Sequence, residues 1–508
     1  MDKFNKIVAL DTIIFYPEHE ELLKQLVNKP KIERVPLKFD SEKKEWTLPL
    51  DYEMPKDATI IIWPSSLPTS FDGISLELHE KLKTSQCWTE AGLRDSISAQ
   101  NLYNRLKDAD CILTCWTDIP NEVLDKIIKD GKTKAIITWT HEFEHRLDVE
   151  KTRTAKIFTE SIPDYGTDSV AELVFDDLIK LIERNKETKE KAYSDSDYII
   201  GVLSYLFHKY RKSYINERDT RRGQFSHQFH KLGRSQEFFS KFHEKTLDEM
   251  IPEKELQGKS IGLYELDLEK LEVVLEKGFK MHLSKYKGAT SDARFYRFIA
   301  MHNVIILDSS KISKELFEKI KLLKSDVIDL QTLKHYDEIL CEKTLGIIGL
   351  GRIGSRVAEI AESFNMKVQY FSASKKTIKY DFVKLDDLLK TSDVVSMHVK
   401  AHKAIGLLKS KEISLMKKGA YFINTSDANA LDQEPLTKRM LAKDLYVALD
   451  VYQGLPTTKT LFLNDNFSGK VKDQLKEHVL TYRAGWKTQE AIRVKTYKLL
   501  GHMIDALQ

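Results

Sequence analysis

Residues 345–376 read LGIIGLGRIGSRVAEIAESFNMKVQYFSASKK. The spacing Gly349-x-Gly351-x-x-Gly354 can cradle a diphosphate. The first glycine permits a tight turn, the second lets backbone amides approach a pyrophosphate, and the third lets helix and strand pack closely. A helix pattern follows at once, so the positive end of its dipole faces the same charge. Beyond the next strand, Lys367–Phe371, a carboxylate would accept ribose hydroxyls and repel a 2′-phosphate. The chain offers Ser372, Ser374, Lys375 and Lys376 instead. Hydroxyls and two cations suit a phosphorylated ribose, which favours NADP(H) over NAD(H).

Other residue sets invite chemistry less directly. The stretch TWTHEFEHRLD contains H-E-x-x-H at His141–His145. On a helix the two histidines would share a face and could bind zinc, with Glu142 as base. The stretch directly follows a strand pattern, Lys134–Thr140, and no third ligand stands out, so a polar wall of the cofactor cleft is favoured and no metal is expected. Asp308 ends a strand pattern near Glu265 and Asp267. It could accept a phosphoryl group, although acids are common in loops at strand ends. Of the four cysteines, Cys111 and Cys115 flank a strand at a spacing unlike zinc knuckles. Together with Cys87 and Cys341 they read as thiols in a reducing cytoplasm.

These residues need a scaffold. At 508 residues, with 42% apolar and 31% charged, the chain is long enough for two or three domains with real cores. A net charge of +3 gives no reason to invoke nucleic acid or an anionic membrane. No apolar run reaches the ~20 residues of a membrane helix, and the first residues lack a signal-peptide layout. Strand and helix patterns alternate almost throughout, which predicts an α/β architecture with parallel sheets. A first strand is expected at Lys6–Asp11. Asp168 and Ser169 offer an N-cap for a long helix ending near Arg184. Residues 191–256 break the rhythm. They read as a helical, basic and aromatic insertion packing on another domain or subunit, with a groove for nucleic acid or a phosphorylated ligand as the alternative. The rhythm then returns with an internal echo: Lys259–Met281 aligns with Lys343–Met366, and Glu265, Asp267 and Lys270 stand where the second copy has its glycines. The first copy therefore cannot bind a dinucleotide in the same way.

From the glycine motif onward, the segments SDVVSMHV, LMKKGAYFINTS, LDQEPLTKRM and VALDVYQGLP resemble the corresponding blocks of the D-2-hydroxyacid dehydrogenase family. The resemblance implies a flavodoxin-like substrate-type domain at 1–190, a Rossmann doubly wound domain at 339–485, and a C-terminal helix at 486–508 returning to the first domain; the insertion at 191–256 and a degenerate β/α module at 257–338, read from the pattern alone, stand between the two domains. It implies a nicotinamide cofactor held by Gly349, Gly351, Arg352, Ile353 and Gly354, with Ser372, Ser374, Lys375 and Lys376 at the ribose and Val399, Asn424, Thr425 and Asp450 at later strand ends. It also implies hydride exchange with a small molecule, and a homodimer.

The family chemistry needs an Arg, a Glu and a His. The matching positions here hold Asp427, Leu455, and Tyr482 or Arg483, while His478 lies slightly upstream. Two readings follow. One is an NADP(H)-dependent oxidoreductase with a rebuilt site acting on a carbonyl, imine or hydroxy compound. In that reading Tyr482 donates a proton, Arg483 or Lys487 polarises a carbonyl, and His141, Glu142 and His145 face the cleft. The other is a pseudoenzyme that binds NAD(P)(H) as a structural or sensing ligand and works through protein contacts.

Overall fold

In the computed structural model, the described residues are all except 1–2, 11–12, 14, 16, 29–31, 35–37, 41–44, 48–59, 63–98, 116, 141–142, 144–145, 163–164, 187–194, 211–255, 289–292, 325, 334–339, 401–403, 452–476, 482–484 and 487. Most of the insertion and the H-E-x-x-H residues thus lie outside the described part, as do Cys87, Leu455, Tyr482, Arg483 and Lys487.

Three parallel sheets carry the chain. The first joins β1 (Ile7–Ala9), β6 (Cys111–Thr114), β7 (Ala135–Thr138) and β8 (Phe158–Ser161) in that order. Two small pairs form separate ladders: β2 (Ile32–Arg34) with β5 (Ile60–Ile62), and β3 (Lys38–Asp40) with β4 (Glu45–Thr47). The second sheet runs β10 (His282–Tyr286), β9 (Ser260–Tyr264), β11 (Val304–Leu307), β12 (Val327–Asp329). The third has seven strands: β15 (Asp381–Phe382), β14 (Lys367–Phe371), β13 (Thr344–Ile348), β16 (Val394–Met397), β17 (Ala420–Asn424), β18 (Leu445–Leu449), β19 (Val479–Leu480). Every ladder in these three sheets is parallel. The central strands β6, β7, β11, β16 and β17 are buried at every residue, as apolar runs covered by helices on both faces must be.

The order of the third sheet reverses between β13 and β16. In an open α/β sheet that reversal opens a crevice at the carboxyl ends of the strands. The second sheet repeats the plan on a smaller scale, and its kinship reaches the backbone. Gly349 after β13 has φ +95°, and Glu265 after β9 has φ +53°. The degenerate copy keeps the left-handed kink but places on it a side chain whose carboxylate accepts from the Gly288 N–H at 3.0 Å.

The helix Thr167–Asn185 links the first sheet to the others. Its N-cap is Gly166, with no side-chain cap. Asp168 and Ser169, predicted to cap it, are drawn into longer-range contacts instead. Arg356 Nε donates to Asp168 Oδ1 at 2.8 Å, and the Ser169 hydroxyl pairs with that of Thr488 at 3.0 Å. The described start of the insertion, the helix Asp195–Tyr210, buries Tyr198, Val202, Leu203, Leu206 and Phe207 in the same core as this linking helix and the β9 module. Phe175 of the linking helix stacks on Phe364 at 5.2 Å and meets the edge of Phe279 at 6.3 Å, so one aromatic cluster joins linker, glycine-motif domain and module. The C-terminal helix Gln489–Asp505 buries Ile492, Leu499, Leu500 and Met503 with Phe4, Leu23 and Trp139 of the first sheet's core.

Arg356 fixes this three-way junction. It is 6% exposed and also donates through Nη2 to the Gly278 carbonyl at 2.6 Å and through Nη1 to Glu359 at 3.0 Å. Arg356→Met leaves that carbonyl buried without a donor and releases Asp168. We expect a loss of roughly 3 kcal/mol, read as a lower denaturant midpoint than that of a surface control such as Lys438→Met.

A glycine turn at the switch point

The crevice between β13 and β16 is shaped by crowding. A Cβ on Gly349 would collide with the carbonyl of His398, the residue that follows β16, and one on Gly354 would collide with the Gly349 carbonyl. Turn, strand end and helix Arg352–Ser363 are therefore locked together by backbone contact. Gly351 is the exception: a Cβ there meets nothing within 4 Å. It caps the helix without a side-chain hydrogen bond, and the first amides of a helix have no intrahelical acceptor. Such a surface suits a diphosphate, since the helix end supplies both donors and a favourable dipole. Arg352 is exposed beside it and Ile353 is half-buried.

At the ribose end, the stretch after β14 folds back on the turn. Lys376 donates from its backbone N to the Tyr370 hydroxyl at 2.8 Å, and its ammonium donates to the Leu350 carbonyl inside the glycine turn. The Ser372 hydroxyl donates to the Ser374 carbonyl at 2.5 Å. Ser374 and Lys375 are exposed. Both lysines are exposed, and the structure gives Lys376 a bracing role against Tyr370 and Leu350.

The next strand ends carry the rest. His398 places Nε2 2.8 Å from the Ser396 hydroxyl and Nδ1 3.4 Å from that of Thr425. Loss of solvent around the ring pushes its pKa down to about 3, so it is a neutral hydrogen-bonding ring at ordinary pH. Val399 and Thr425 are half-buried beside it. Asn424 is fully buried and turned onto its own loop, donating to the Asp427 carbonyl at 2.9 Å and accepting from Ser426 N at 3.0 Å. Asp427 is 7% exposed. Its Oδ1 accepts from Asn429 N at 3.1 Å, and its Oδ2 has no hydrogen-bond partner among the described residues. Asp450, after β18, accepts from the Thr481 hydroxyl at 2.7 Å and from Gly485 N at 3.1 Å.

Two further residues whose types suggested chemistry are held by structural contacts. His478 accepts at Nδ1 from Val447 N at 3.2 Å and places Nε2 3.2 Å from the Met440 carbonyl, and burial lowers its pKa. It joins β18 to the start of β19. Asp308 caps a short turn: its Oδ1 receives Ser310 N, the Ser310 hydroxyl and Gln331 Nε2 at 2.6–3.0 Å, and its Oδ2 faces the Lys311 ammonium at 3.7 Å. Cys111 and Cys115 are buried thiols outside any disulfide, and Cys115 donates to the Trp139 carbonyl at 3.3 Å. Among the described residues no group of three or more His, Cys, Asp or Glu could hold a metal, and no helix is long and apolar enough to cross a membrane.

Residues 311–468 match the sequence model of the D-isomer specific 2-hydroxyacid dehydrogenase NAD-binding domain. Among similar curated proteins, a glyoxylate reductase of Aeropyrum pernix is 39% identical over 22% of this chain and 36% of its own. A hydroxypyruvate reductase of Thermotoga maritima is 31% identical over 39% of this chain and 61% of its own. The matches thus span less than two thirds of those relatives' lengths. A solved glyoxylate reductase from Paecilomyes thermophila overlays 100% of this chain and 96% of its own at 15% identity, with a TM-score of 0.45.

The three glycines should separate by substitution to alanine. Gly351→Ala enters open space at ordinary φ (−85°) and should leave the denaturant midpoint unchanged. Gly349→Ala must adopt left-handed φ against a carbonyl and should lose roughly 1–3 kcal/mol from strain alone. Equal midpoints for the two variants would contradict this view of the turn.

Proposed function

Because residues 311–468 match the NAD-binding domain of the D-isomer specific 2-hydroxyacid dehydrogenase family, we propose that the chain is an NADP(H)-dependent oxidoreductase acting on a small carbonyl, imine or hydroxy compound. The observation that carries this reading is the open face of Gly351 on a turn that is otherwise closed by backbone contact. In this reading the diphosphate lies on the amides that open the helix Arg352–Ser363. Asn424 and Thr425 shape the crevice wall, and Asp450 accepts from the Thr481 hydroxyl and from Gly485 N. The bound nicotinamide supplies or receives the hydride. The NADP(H) preference rests on hydroxyls and ammonium groups where β14 ends, with Lys375 exposed to take a 2′-phosphate. Tyr482 and Arg483, which follow Thr481 in the sequence, are the proposed proton donor and carbonyl-polarising group, and His141 is proposed as a further catalytic residue; all three lie outside the described residues. The protein acts as a homodimer in the cytoplasm.

One observation favours a second reading. Asp427 puts a buried carboxylate, with one oxygen unpartnered among the described residues, where the resemblance places a substrate-clamping arginine. A chain retaining the nucleotide turn while repelling an acid there fits a pseudoenzyme that uses NADP(H) as a sensing ligand.

Turnover separates the two. Purified protein with NADPH and a panel of 2-oxo acids, aldehydes and imines should lose NADPH absorbance with at least one compound, and Tyr482→Phe should abolish that loss. Tight NADPH binding with no oxidation across the panel would favour the sensor. Lys375→Ser should narrow the preference for NADPH over NADH by about tenfold, the worth of one charge-assisted contact. An unchanged ratio would contradict the NADP(H) assignment.

A further inference from the structure

Ser396 and His398 stand two residues apart at the end of β16, so their side chains share one face of the third sheet. β16 pairs with β17 in parallel, Ser396 with Ile423 and Met397 with Asn424, which brings His398 and Thr425 side by side at the carboxyl edge. The three polar side chains form one row. Ser396 Oγ lies 2.8 Å from His398 Nε2, and His398 Nδ1 lies 3.4 Å from Thr425 Oγ1. The backbone of His398 completes the corner: its N–H donates to the Ile348 carbonyl at 2.7 Å, and its own carbonyl lies against Gly349.

The direction of these bonds follows from burial. Ser396 is 0% exposed, and its hydroxyl has no other partner among the described residues. An enclosed O–H left without an acceptor costs about 1–3 kcal/mol. Thr425 is half-buried at the crevice, where water or a ligand can take its proton. Ser396 therefore donates, and Nε2 accepts. Loss of solvent keeps the ring neutral at ordinary pH, so it carries a single N–H, which must sit on Nδ1. That N–H donates to Thr425 Oγ1. The Thr425 hydroxyl accepts on the side of the ring and turns its own proton away from it, and among the described residues no other group pairs with this hydroxyl.

We propose that His398 is a positioning residue for the nicotinamide half of the nucleotide: through Nδ1–H it aims the Thr425 hydroxyl as a donor into the crevice, onto the carboxamide carbonyl oxygen. This rests on the oxidoreductase reading above. In that reading the 2′-phosphate lies at the end of β14 and the diphosphate at the turn after β13, and the nucleotide crosses the reversal between β13 and β16. Its other half then lies over the ends of β16 and β17, where Thr425 stands. A donor on the carboxamide oxygen holds the nicotinamide ring by one edge. Three residues in a row thus convert the burial of Ser396 into a fixed polarity at the crevice.

The thionicotinamide analogue of NADPH keeps the shape of the cofactor and replaces that oxygen by sulfur, a weaker acceptor. In calorimetric titration the unaltered full chain should bind NADPH about fivefold tighter than the analogue, the worth of one hydrogen bond. Thr425→Val should weaken NADPH about fivefold and bind both nucleotides alike, and Thr425→Ser should keep the preference. His398→Phe should match Thr425→Val, and combining the two should cost NADPH affinity nothing more. His398→Asn sets an amide N–H where Nδ1–H was but takes the acceptor from Ser396. It should therefore melt lower than the unaltered chain and still prefer NADPH, which a merely structural histidine would not allow. Should His398→Phe fail to fold, the Thr425 and His398→Asn variants carry the test. A preference that survives Thr425→Val, or that is lost in His398→Asn, would overturn the proposal, as would equal binding of both nucleotides by the unaltered chain. Failure of the unaltered chain to bind NADPH would instead sink the oxidoreductase reading, and that titration comes first.

Discussion

Backbone crowding at Gly349 governs the nucleotide crevice. Its amide donates to the Phe371 carbonyl at 2.8 Å, while a side chain on it would strike the carbonyl of His398. The first contact ties the turn to β14 and the second to β16, the two strands flanking β13. Gly354 then presses the helix Arg352–Ser363 onto the turn's own carbonyl. With both sides closed in this way, Gly351 is the relaxed member of the three, and the crevice opens over its face. The site's shape thus follows from where side chains are forbidden.

The module built on β9 shows what happens when that constraint is lifted. Glu265 keeps a left-handed backbone, yet its carboxylate is spent on Gly288 N, and Lys285 pairs with Asp267 at 2.7 Å where the second copy has Gly351. Charged side chains occupy the place of the open amides. What the module retains is a structural use: Gly278 packs on Ser363, and Phe279 joins Phe175 and Phe364. A repeated unit has become a buttress for its sister and for the linking helix, with Arg356 bonding to both.

Much of this was legible in the sequence because it rests on local pattern. Strands β13, β16, β17 and β18 are continuous apolar runs, buried on both faces, and the glycine spacing carries its own geometry. Features set by distant partners were not legible. Asp168 and Ser169 have the chemistry of caps, but Arg356 and Thr488 claim them across the fold. His478 has the chemistry of an acid–base group, but Val447 and Met440 bracket its ring. Lys495 reads as one more basic residue on a helix with several. Its burial comes from three rings at positions 139, 165 and 486, which no local window brings together.

Whether the open face of Gly351 holds a diphosphate is decided by calorimetric titration of the full chain with NADPH, repeated with Gly351→Glu. Glutamate at that position enters open space, so the variant should fold with an unchanged melting temperature, while its carboxylate stands where the diphosphate must lie. We expect saturable binding by the unaltered chain and a loss of at least about 100-fold in the variant, equivalent to about 2.7 kcal/mol. Equal affinities for the two proteins, or no binding by either, would contradict the diphosphate site.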